Sequence, residues 1–508
     1  MNSITQQQPQ LTPPPPSAPS TDTAASKHPF DNPHIRPKTQ VLLDDGNLRA
    51  SRKTLEYAED PKKPVVMGNT LILETGDASD NIHVSQRPDG QLSVNVNGRV
   101  YTFAPSDGAP DSSSQNQPKP FFNLQIKSGG GNDNITIDPN VTTEVKIDAG
   151  DGDDTVQAGG GTTEVYGGRG NDHIRLGSGA GYAEGNEGDD TMIAGTGPSV
   201  MYGNKGKDRM YAGSGPSDKT THLDGGEDDD QLHGGDGTAV LNGGLGNDVL
   251  VPYDNNIVYT GKGRDTVWAN FRKARIYATD GDRLINAGKS TVTTVNPNDA
   301  GRKAFNIKGS DAFKQRVEDD LELLRASPAG KEMLEAMDQA AERNGAPVNI
   351  EQDDKYATTY TFSNTELDAL NEEERADIKR SDPRKGAIKD GKPGSVANSA
   401  TIYFNPTHIE QSTQNTSPII QFYHEMVHAW NGANGTFLPG LSAPPADNPS
   451  RLGPANAELQ AIGLPTETAP FDFDNDPSTP PTTTNPEPFT ENTLNKEMGK
   501  PLRGQYVG

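Results

Sequence analysis

The feature that most constrains the fold is a glycine-rich turn that recurs between residues 129 and 265. The first three copies are the segments 129–135, 150–156 and 167–174, and each contains an aspartate followed two positions later by an isoleucine or valine. Eight aspartates mark the copies, at spacings of 21, 18, 18, 18, 22, 18 and 17 residues: Asp133, Asp154, Asp172, Asp190, Asp208, Asp230, Asp248 and Asp265. A unit of about 18 residues cannot form a core alone, so successive units must stack. Shorter, incomplete copies of the motif around Asp80 and Asp282 predict degenerate coils at the two ends.

An 18-residue coil accommodates two short strands and two turns, which predicts a parallel β-roll, or β-solenoid, over residues 65–290. Stacking brings the eight aspartates into a column, where their charges repel unless a cation lies between them. Carboxylate and turn carbonyl oxygens are the ligands that calcium prefers. The pattern resembles the G-G-x-G-x-D-x-U nonapeptide of RTX proteins, which form calcium-binding β-rolls. We expect structural Ca²⁺ bound by these aspartates.

The RTX motif typically recurs every nine residues, on both edges of the roll, whereas here it recurs every eighteen. We therefore expect calcium along one edge only. Lys205, Lys207 and Asp228 make two of the coils poorer calcium sites. A calcium-free β-solenoid with solvated aspartates is the alternative.

A second pattern, H-E-x-x-H, occupies residues 424–428 within the apolar stretch 419–430. On a helix, residues four apart lie on one face, so His424 and His428 could bind one zinc ion, with Glu425 beside them as the catalytic base. The third-histidine position of a metzincin is Asn434, which excludes that pattern. We predict instead that Glu458, in the short helical segment 456–464, is the third zinc ligand.

Three segments in this order resemble the NleD-like zinc metallopeptidases, a family of bacterial type III secreted effectors: 424–429, 458–464 and 490–506. The resemblance covers residues 305–506. It implies that His424, His428 and Glu458 bind zinc, that Glu425 is the base, and that the substrates are host proteins, signalling kinases among them. Two departures from the family pattern, an insertion at 465–488 and a large N-terminal region, leave the substrate open.

The C-terminal pair Arg503 and Tyr506 is a further candidate for catalysis. Its R-x-x-Y spacing looks like the tail pair of the clostridial neurotoxin peptidases. A guanidinium and a phenol in the site can stabilise the oxyanion formed during peptide hydrolysis. We predict that role for both residues.

The predicted architecture is therefore multidomain. A disordered, Gln/Pro/Ser/Thr-rich secretion leader (1–40) and a linker (41–64) precede the β-roll (65–290). An α+β zincin, gluzincin-like, forms the metallopeptidase domain (300–508), with a disordered insertion at 465–488. The net charge of −25 argues against a nucleic-acid partner. No apolar run reaches the roughly 18 residues that a membrane-spanning helix needs.

These features predict a secreted zinc endopeptidase that a type III system delivers into the host cell cytoplasm. Its expected partners are a host protein substrate and a secretion chaperone. Two alternatives remain open. One is a type I secreted RTX-type protease, and the other is a calcium-dependent binding or adhesion module with an inactive peptidase domain.

Overall fold

The computed structural model describes residues 32, 34–57, 65–104, 121–409, 417–443, 454–474 and 477–505. A β-solenoid is followed by an α+β domain, which confirms the predicted fold class. Most of the predicted leader, residues 1–31, lies outside the described residues. None of the described helices is long and apolar enough to cross a membrane.

The solenoid consists of two facing sheets, and each full coil contributes a strand to both. Neighbouring coils pair in parallel, one repeat apart. In the first sheet Val165 pairs with Ala183 and Ala183 with Met201, while in the second Val156 pairs with Ile174. These side chains point between the sheets and are almost completely buried. The alternation of apolar and small or polar residues along each strand therefore builds one continuous core.

The first sheet contains, in spatial order, β1 (Ile35–Asp44), β2 (Arg49–Tyr57), β3 (Val65–Gly76), β7 (Phe121–Gly129), β9 (Glu144–Asp151), β11 (Thr163–Arg169), β13 (Gly181–Glu187), β15 (Ser199–Lys205), β17 (Thr220–Glu227), β19 (Thr238–Asn242), β22 (Ile257–Tyr259), β25 (Arg275–Ala278) and β27 (Thr291–Thr294), with β20 (Leu245–Gly246) and β23 (Lys262–Gly263) at its side. The second sheet contains β26 (Arg283–Ile285), β24 (Thr266–Trp268), β21 (Val249–Val251), β18 (Gln231–His233), β16 (Arg209–Tyr211), β14 (Thr191–Ile193), β12 (His173–Arg175), β10 (Thr155–Gln157), β8 (Asn134–Ile137), β4 (Asn81–Gln86), β5 (Leu92–Val96) and β6 (Arg99–Phe103).

The predicted linker is wrong for residues 41–57, and the leader prediction is wrong for residues 35–40. These residues form β1 and β2, an antiparallel hairpin that continues the first sheet onto β3. Leu48 and Ala50 join the solenoid core. The buried Arg52 donates hydrogen bonds to Asn69 and to the carbonyl of Ala104. The hairpin forms because these apolar residues cover the end of the core that would otherwise face water.

The C-terminal domain places helices around a four-stranded sheet. The sheet has the spatial order β28 (Phe305–Lys308), β29 (Val348–Gln352), β31 (Thr401–Phe404) and β30 (Thr359–Thr361). The helices are α1 (Asp311–Ala326), α2 (Pro328–Asn344), α3 (Thr365–Asp368), α4 (Glu372–Ala376), α5 (Pro418–Asn434), α6 (Asn456–Ile462) and α7 (Glu491–Glu497). Only β30 runs antiparallel to its neighbour, and it lies at the edge of the sheet.

Local sequence signals set the two long N-terminal helices of this domain. The Ser310 side chain accepts the N–H of Phe313 at the start of α1, and the Ser327 side chain accepts the N–H of Gly330 at the start of α2. Gly345 ends α2 with a φ of +76°, a conformation that favours glycine. Serine at the N-cap and glycine after the last turn are residue types that favour these helix boundaries.

The prediction of a disordered insertion at 465–488 is wrong for the part that the structure describes, which omits residues 475 and 476. Phe473 is 8% exposed and belongs to the core of the C-terminal domain. Phe471 forms an antiparallel bridge with Thr482, and Thr466 bonds the carbonyl of Thr483. Two aromatic anchors thus hold a segment whose Pro, Asp and Thr content indicates disorder.

The solenoid and the C-terminal domain share an extensive buried contact. Arg316 of α1 donates to the hydroxyl of Tyr182, lies 3.3 Å from the centre of the Tyr202 ring, and pairs with Asp320 at 2.8 Å. At a second point, the Tyr259 hydroxyl donates to Glu497 of α7 at 2.8 Å. The outer face of the first sheet is therefore a packing surface for the C-terminal domain.

Candidate active site

Helix α5 carries both histidines of the H-E-x-x-H motif on a face that lines a cleft. The helix begins at Pro418 and ends before Gly435, whose φ is +67°. His424 and His428 lie one turn apart, and their Nε2 atoms are separated by 3.1 Å. Both residues are largely buried, at 8% and 7% exposure, so the helix places two imidazole nitrogens close together in a shielded position.

Glu458 of α6 completes a triangle with the two histidines. Its Oε2 atom lies 3.3 Å from the Nε2 of His424 and 3.3 Å from the Nε2 of His428. Ligand bonds of about 2.0–2.1 Å in a tetrahedral zinc site place two ligand atoms about 3.3–3.4 Å apart. The donor atoms and their spacing therefore fit three corners of a zinc tetrahedron. Asn434 contacts Trp430 and Arg343 instead.

Glu425 lies beside this triangle. One ligand atom each from His424, Glu425 and His428 lies within 4.8 Å of the others. The Oε2 atom of Glu425 accepts the backbone N–H of Tyr360 in β30 at 2.8 Å, which fixes the carboxylate between the helix and the sheet edge. Burial raises the pKa of Glu425, and the neighbouring histidines partly oppose that shift. A carboxylate with a raised pKa is a better proton acceptor.

Glu491, at the first position of α7, is a residue of the site that the sequence patterns did not predict. Its side chain is completely buried, and its Oε2 atom accepts the Nδ1–H of His424 and one N–H of Arg503, both at 2.8 Å. A donor at Nδ1 leaves the lone pair of Nε2 directed at the triangle, so Glu491 orients the imidazole of a candidate metal ligand. Two features of the sequence could have pointed to Glu491. It is an acidic residue directly after the capping Thr490, and it lies in a segment that carries the family resemblance.

The charges around the histidines favour a cation. Burial opposes a positive charge on His424, but the carboxylates of Glu458 and Glu491 raise its pKa to about 10. Burial likewise opposes ionisation of Glu458, but the two histidines lower its pKa. The site therefore stabilises a positive charge among its nitrogen and oxygen donors.

The triangle faces a cleft of about 1130 Å³. Its walls include β30 with its flanking residues 357–363 and part of the segment 375–385. Arg503 also lines the cleft, with a side chain that is 15% exposed. Tyr506, its predicted partner, lies outside the described residues.

The eight predicted calcium aspartates form one buried column along one edge of the solenoid. The Oδ1 atom of each accepts the backbone N–H of the aspartate one coil earlier, as in Asp154 to Asp172 at 2.8 Å and Asp172 to Asp190 at 2.7 Å. The Oδ2 atom of all eight is buried without a hydrogen-bond partner in the described part of the chain. A buried, unpaired carboxylate oxygen is unfavourable unless a cation or a proton is bound nearby.

The turns of this edge fit closely around the unpaired oxygens. A Cβ atom at Gly167 would lie 2.2 Å from Oδ2 of Asp172, so the glycine is required there. Burial raises the pKa of Asp172 to about 7 and that of Asp190 to about 8. At Asp228, an aspartate replaces the turn glycine and adopts a φ of +78°.

The opposite edge carries a cation of its own. The buried Lys219 ammonium donates to the carbonyls of Gly195 and Ala212, at 2.6 and 2.5 Å. These carbonyls belong to the alternate turns, which lack the aspartate of the motif. The two edges of the solenoid thus differ in the groups that they bury, with aspartates on one edge and the Lys219 ammonium on the other.

Comparison with models of known protein families gives two matches, one in each of these regions. Residues 301–506 match the profile of the M91 peptidase family, described as "Effector protein". Four segments match the RTX calcium-binding nonapeptide repeat: 148–182, 184–216, 218–250 and 253–271. The resemblances to the effector peptidases and to the RTX repeats are thereby confirmed. Comparison with curated proteins and with solved structures gives no significant match.

Proposed function

We propose that this protein is a zinc-dependent endopeptidase that cleaves host proteins after secretion. The triangle of His424 Nε2, His428 Nε2 and Glu458 Oε2 carries the proposal, because its edges of 3.1–3.3 Å suit tetrahedral zinc. It lies inside the region that matches a peptidase effector family. Two imidazoles and one carboxylate leave a fourth position open, as catalytic zinc sites require.

The chain supplies the groups that peptide hydrolysis needs. Zinc in this site would lower the pKa of a bound water to about 7 and polarise the scissile carbonyl. Glu425 takes the proton of the attacking water and passes it to the leaving amine. The N–H of Tyr360 holds the carboxylate in place for both transfers. Glu491 keeps the His424 ring in its orientation.

The edge strand β30 gives the cleft a place for an extended peptide. It pairs with β31 on one side, and its other side has no strand partner among the described residues. Its residues 359–361 line the cleft next to Glu425. A substrate segment can add to this edge through backbone hydrogen bonds, which fixes the scissile bond over the metal-binding residues.

Arg503 and Tyr506 remain our candidates for stabilising the oxyanion. Arg503 lines the cleft, and its contact with Glu491 gives it a second role in positioning His424 through that carboxylate. Truncation after Leu502 removes both residues. We expect this truncation to lower kcat more than KM, because oxyanion stabilisation acts in the transition state.

We also propose that the aspartate column binds structural calcium, which the RTX matches and the eight unpaired Oδ2 atoms support. We further propose that a type III system, with the help of a secretion chaperone, delivers the protein into the host cytoplasm. Its substrates there would include kinases. The effector family match supports a secreted protein with a host substrate.

The test is cleavage of host lysate proteins by the full chain, read by mass spectrometry of new N-termini. Glu425→Gln is the matched control, because it keeps the side-chain size and removes the base. We expect new N-termini with the wild type and none with the variant. Identical fragments from both would refute the proposal, and no fragments from a zinc-loaded wild type would favour the inactive binding module.

A further inference from the structure

One end of the cleft is basic, in contrast to the chain as a whole. Arg375, Arg380 and Lys385 all line it. Arg380 and Lys385 belong to the segment 378–392, which contains six lysines and arginines and only two aspartates, and Arg375 lies three residues before it. The chain carries a net charge of −25, so the positive excess of this segment runs against the overall charge.

The three cations differ in how they are neutralised. Arg375 pairs with Asp368 at 2.7 Å. Lys385 donates to the carbonyl of Ile378 at 2.7 Å, and burial together with the nearby Arg375 and Arg380 lowers its pKa. Neither Lys385 nor Arg380 lies within 4.0 Å of a carboxylate in the described ranges. Asp382 acts on the charge of Lys385 only from beyond that distance and pairs with Arg384 at 2.9 Å, so among the described residues the two positive charges have no close carboxylate partner.

Other donors surround these cations. The hydroxyl-bearing residues Ser363, Ser381 and Ser399 line the same part of the cleft. Ser363 and Ser399 already donate to Asp368, whereas Ser381 is exposed at the rim beside Arg380. An arginine, a lysine and a hydroxyl at a cleft wall form a donor set suited to a carboxylate or a phosphoryl group.

We propose that Arg380 and Lys385 form a specificity subsite for an acidic side chain of the peptide substrate, either a carboxylate or a phosphoryl group. The inference rests on the proposed peptidase function and assigns it a substrate class. An anionic side chain supplies the counter-charge that the two cations lack. A basic side chain at that position is repelled, so the subsite selects the register in which the peptide lies along β30.

The test uses the zinc-loaded full chain and a positional library of decapeptides, in which one fixed position is Glu, phosphoserine, Ser or Lys. Cut sites are read by mass spectrometry for the wild type, Arg380→Glu and Lys379→Glu. Lys379 is the matched control, because it is exposed, adjacent in sequence and not part of the cleft wall. We expect the wild type and Lys379→Glu to prefer an acidic residue at one fixed distance from the cut by about tenfold. Arg380→Glu should lose or reverse this preference.

The outcomes separate the subsite from the peptidase function. A preference for phosphoserine alone shows that the subsite binds a phosphoryl group. An equal preference for phosphoserine and Glu shows that it also accepts a carboxylate. Absence of an acidic preference, or the same preference in Arg380→Glu, overturns the subsite while the peptidase function stands. Absence of all cleavage by the wild type refutes the peptidase function. The subsite is then judged by fluorescence anisotropy of the labelled Glu and Lys peptides on Glu425→Gln, where equal affinities overturn it.

Discussion

Removal of calcium should make the stability of the solenoid depend steeply on pH. In the absence of a cation, burial holds the pKa of the column aspartates above the ordinary value of 3.8, at about 7 for Asp172 and about 8 for Asp190. A group whose pKa is higher in the folded than in the unfolded chain binds more protons when folded. The calcium-free solenoid is therefore most stable near pH 4, and it loses stability as the pH rises toward 8.

The size of the effect follows from one aspartate. Between pH 4 and pH 7 the unfolded Asp190 ionises, whereas the folded one, with a pKa of about 8, remains largely protonated. Each pH unit across this range lowers the free energy of unfolding by about 1.4 kcal/mol, so Asp190 alone accounts for on the order of 4 kcal/mol. A typical domain is stable by about 5–15 kcal/mol in total. A few such aspartates are enough to unfold the calcium-free solenoid at neutral pH.

The chain has two tryptophans, so fluorescence can follow the unfolding of the solenoid and of the C-terminal domain separately. Trp268 lies on β24 of the solenoid, and Trp430 lies on α5 of the C-terminal domain. A Trp430→Phe variant therefore reports unfolding of the solenoid through Trp268, and Trp268→Phe reports the other half. Urea titrations between pH 4 and pH 8, in chelator and in millimolar calcium, measure the predicted dependence.

We expect the Trp268 midpoint in chelator to fall strongly between pH 5 and pH 8, and calcium to restore it at pH 8. Asp190→Asn should reduce the pH dependence in chelator, whereas Glu187→Gln, at an exposed position of the same coil, should leave it unchanged. A midpoint in chelator that is equal at pH 5 and pH 8 would refute the reasoning about the column.

Three substitutions test other contacts of the structure. Glu491→Gln should weaken zinc binding by about 10–100-fold, measured by chelator competition, and an unchanged affinity would contradict its orienting role. Arg316→Ala leaves Asp320 buried without its counter-charge and should lower the free energy of unfolding by about 3–5 kcal/mol in urea titrations, whereas a loss below about 1 kcal/mol would contradict the importance of this interface. Tyr259→Phe removes the hydroxyl that donates to the buried Glu497 and should destabilise the chain by about 1–3 kcal/mol in the same titration. Equal stability of that variant and the wild type would show that Glu497 finds another donor.

The sequence predicted those parts of the molecule in which a short pattern determines a local geometry. The 18-residue spacing of aspartates determines the coil register, as the pairing of Thr155 with His173 shows. The i, i+4 spacing of His424 and His428 determines that both face one side of α5. Glu458, 30 residues downstream of His428, could also be proposed, because the chemistry of zinc calls for a third ligand.

Other parts depended on tertiary contacts that the local sequence does not show. A linker was predicted at 41–64, but Leu48 and Ala50 within it are buried because the end of the solenoid core needs a cover. The segment around Phe473 was predicted to be disordered, yet it packs into the core of the C-terminal domain. Glu491 acts through His424, which lies 67 residues earlier, and no local spacing connects the two.

Zinc content tests the central claim most directly. Plasma mass spectrometry of the purified full chain should find one zinc ion per wild-type molecule. His424→Ala should lose the metal, and Glu425→Gln should retain it while losing all proteolysis, because Glu425 moves protons and does not hold the ion. Absence of zinc from the wild type, or full proteolytic activity in Glu425→Gln, would contradict the account.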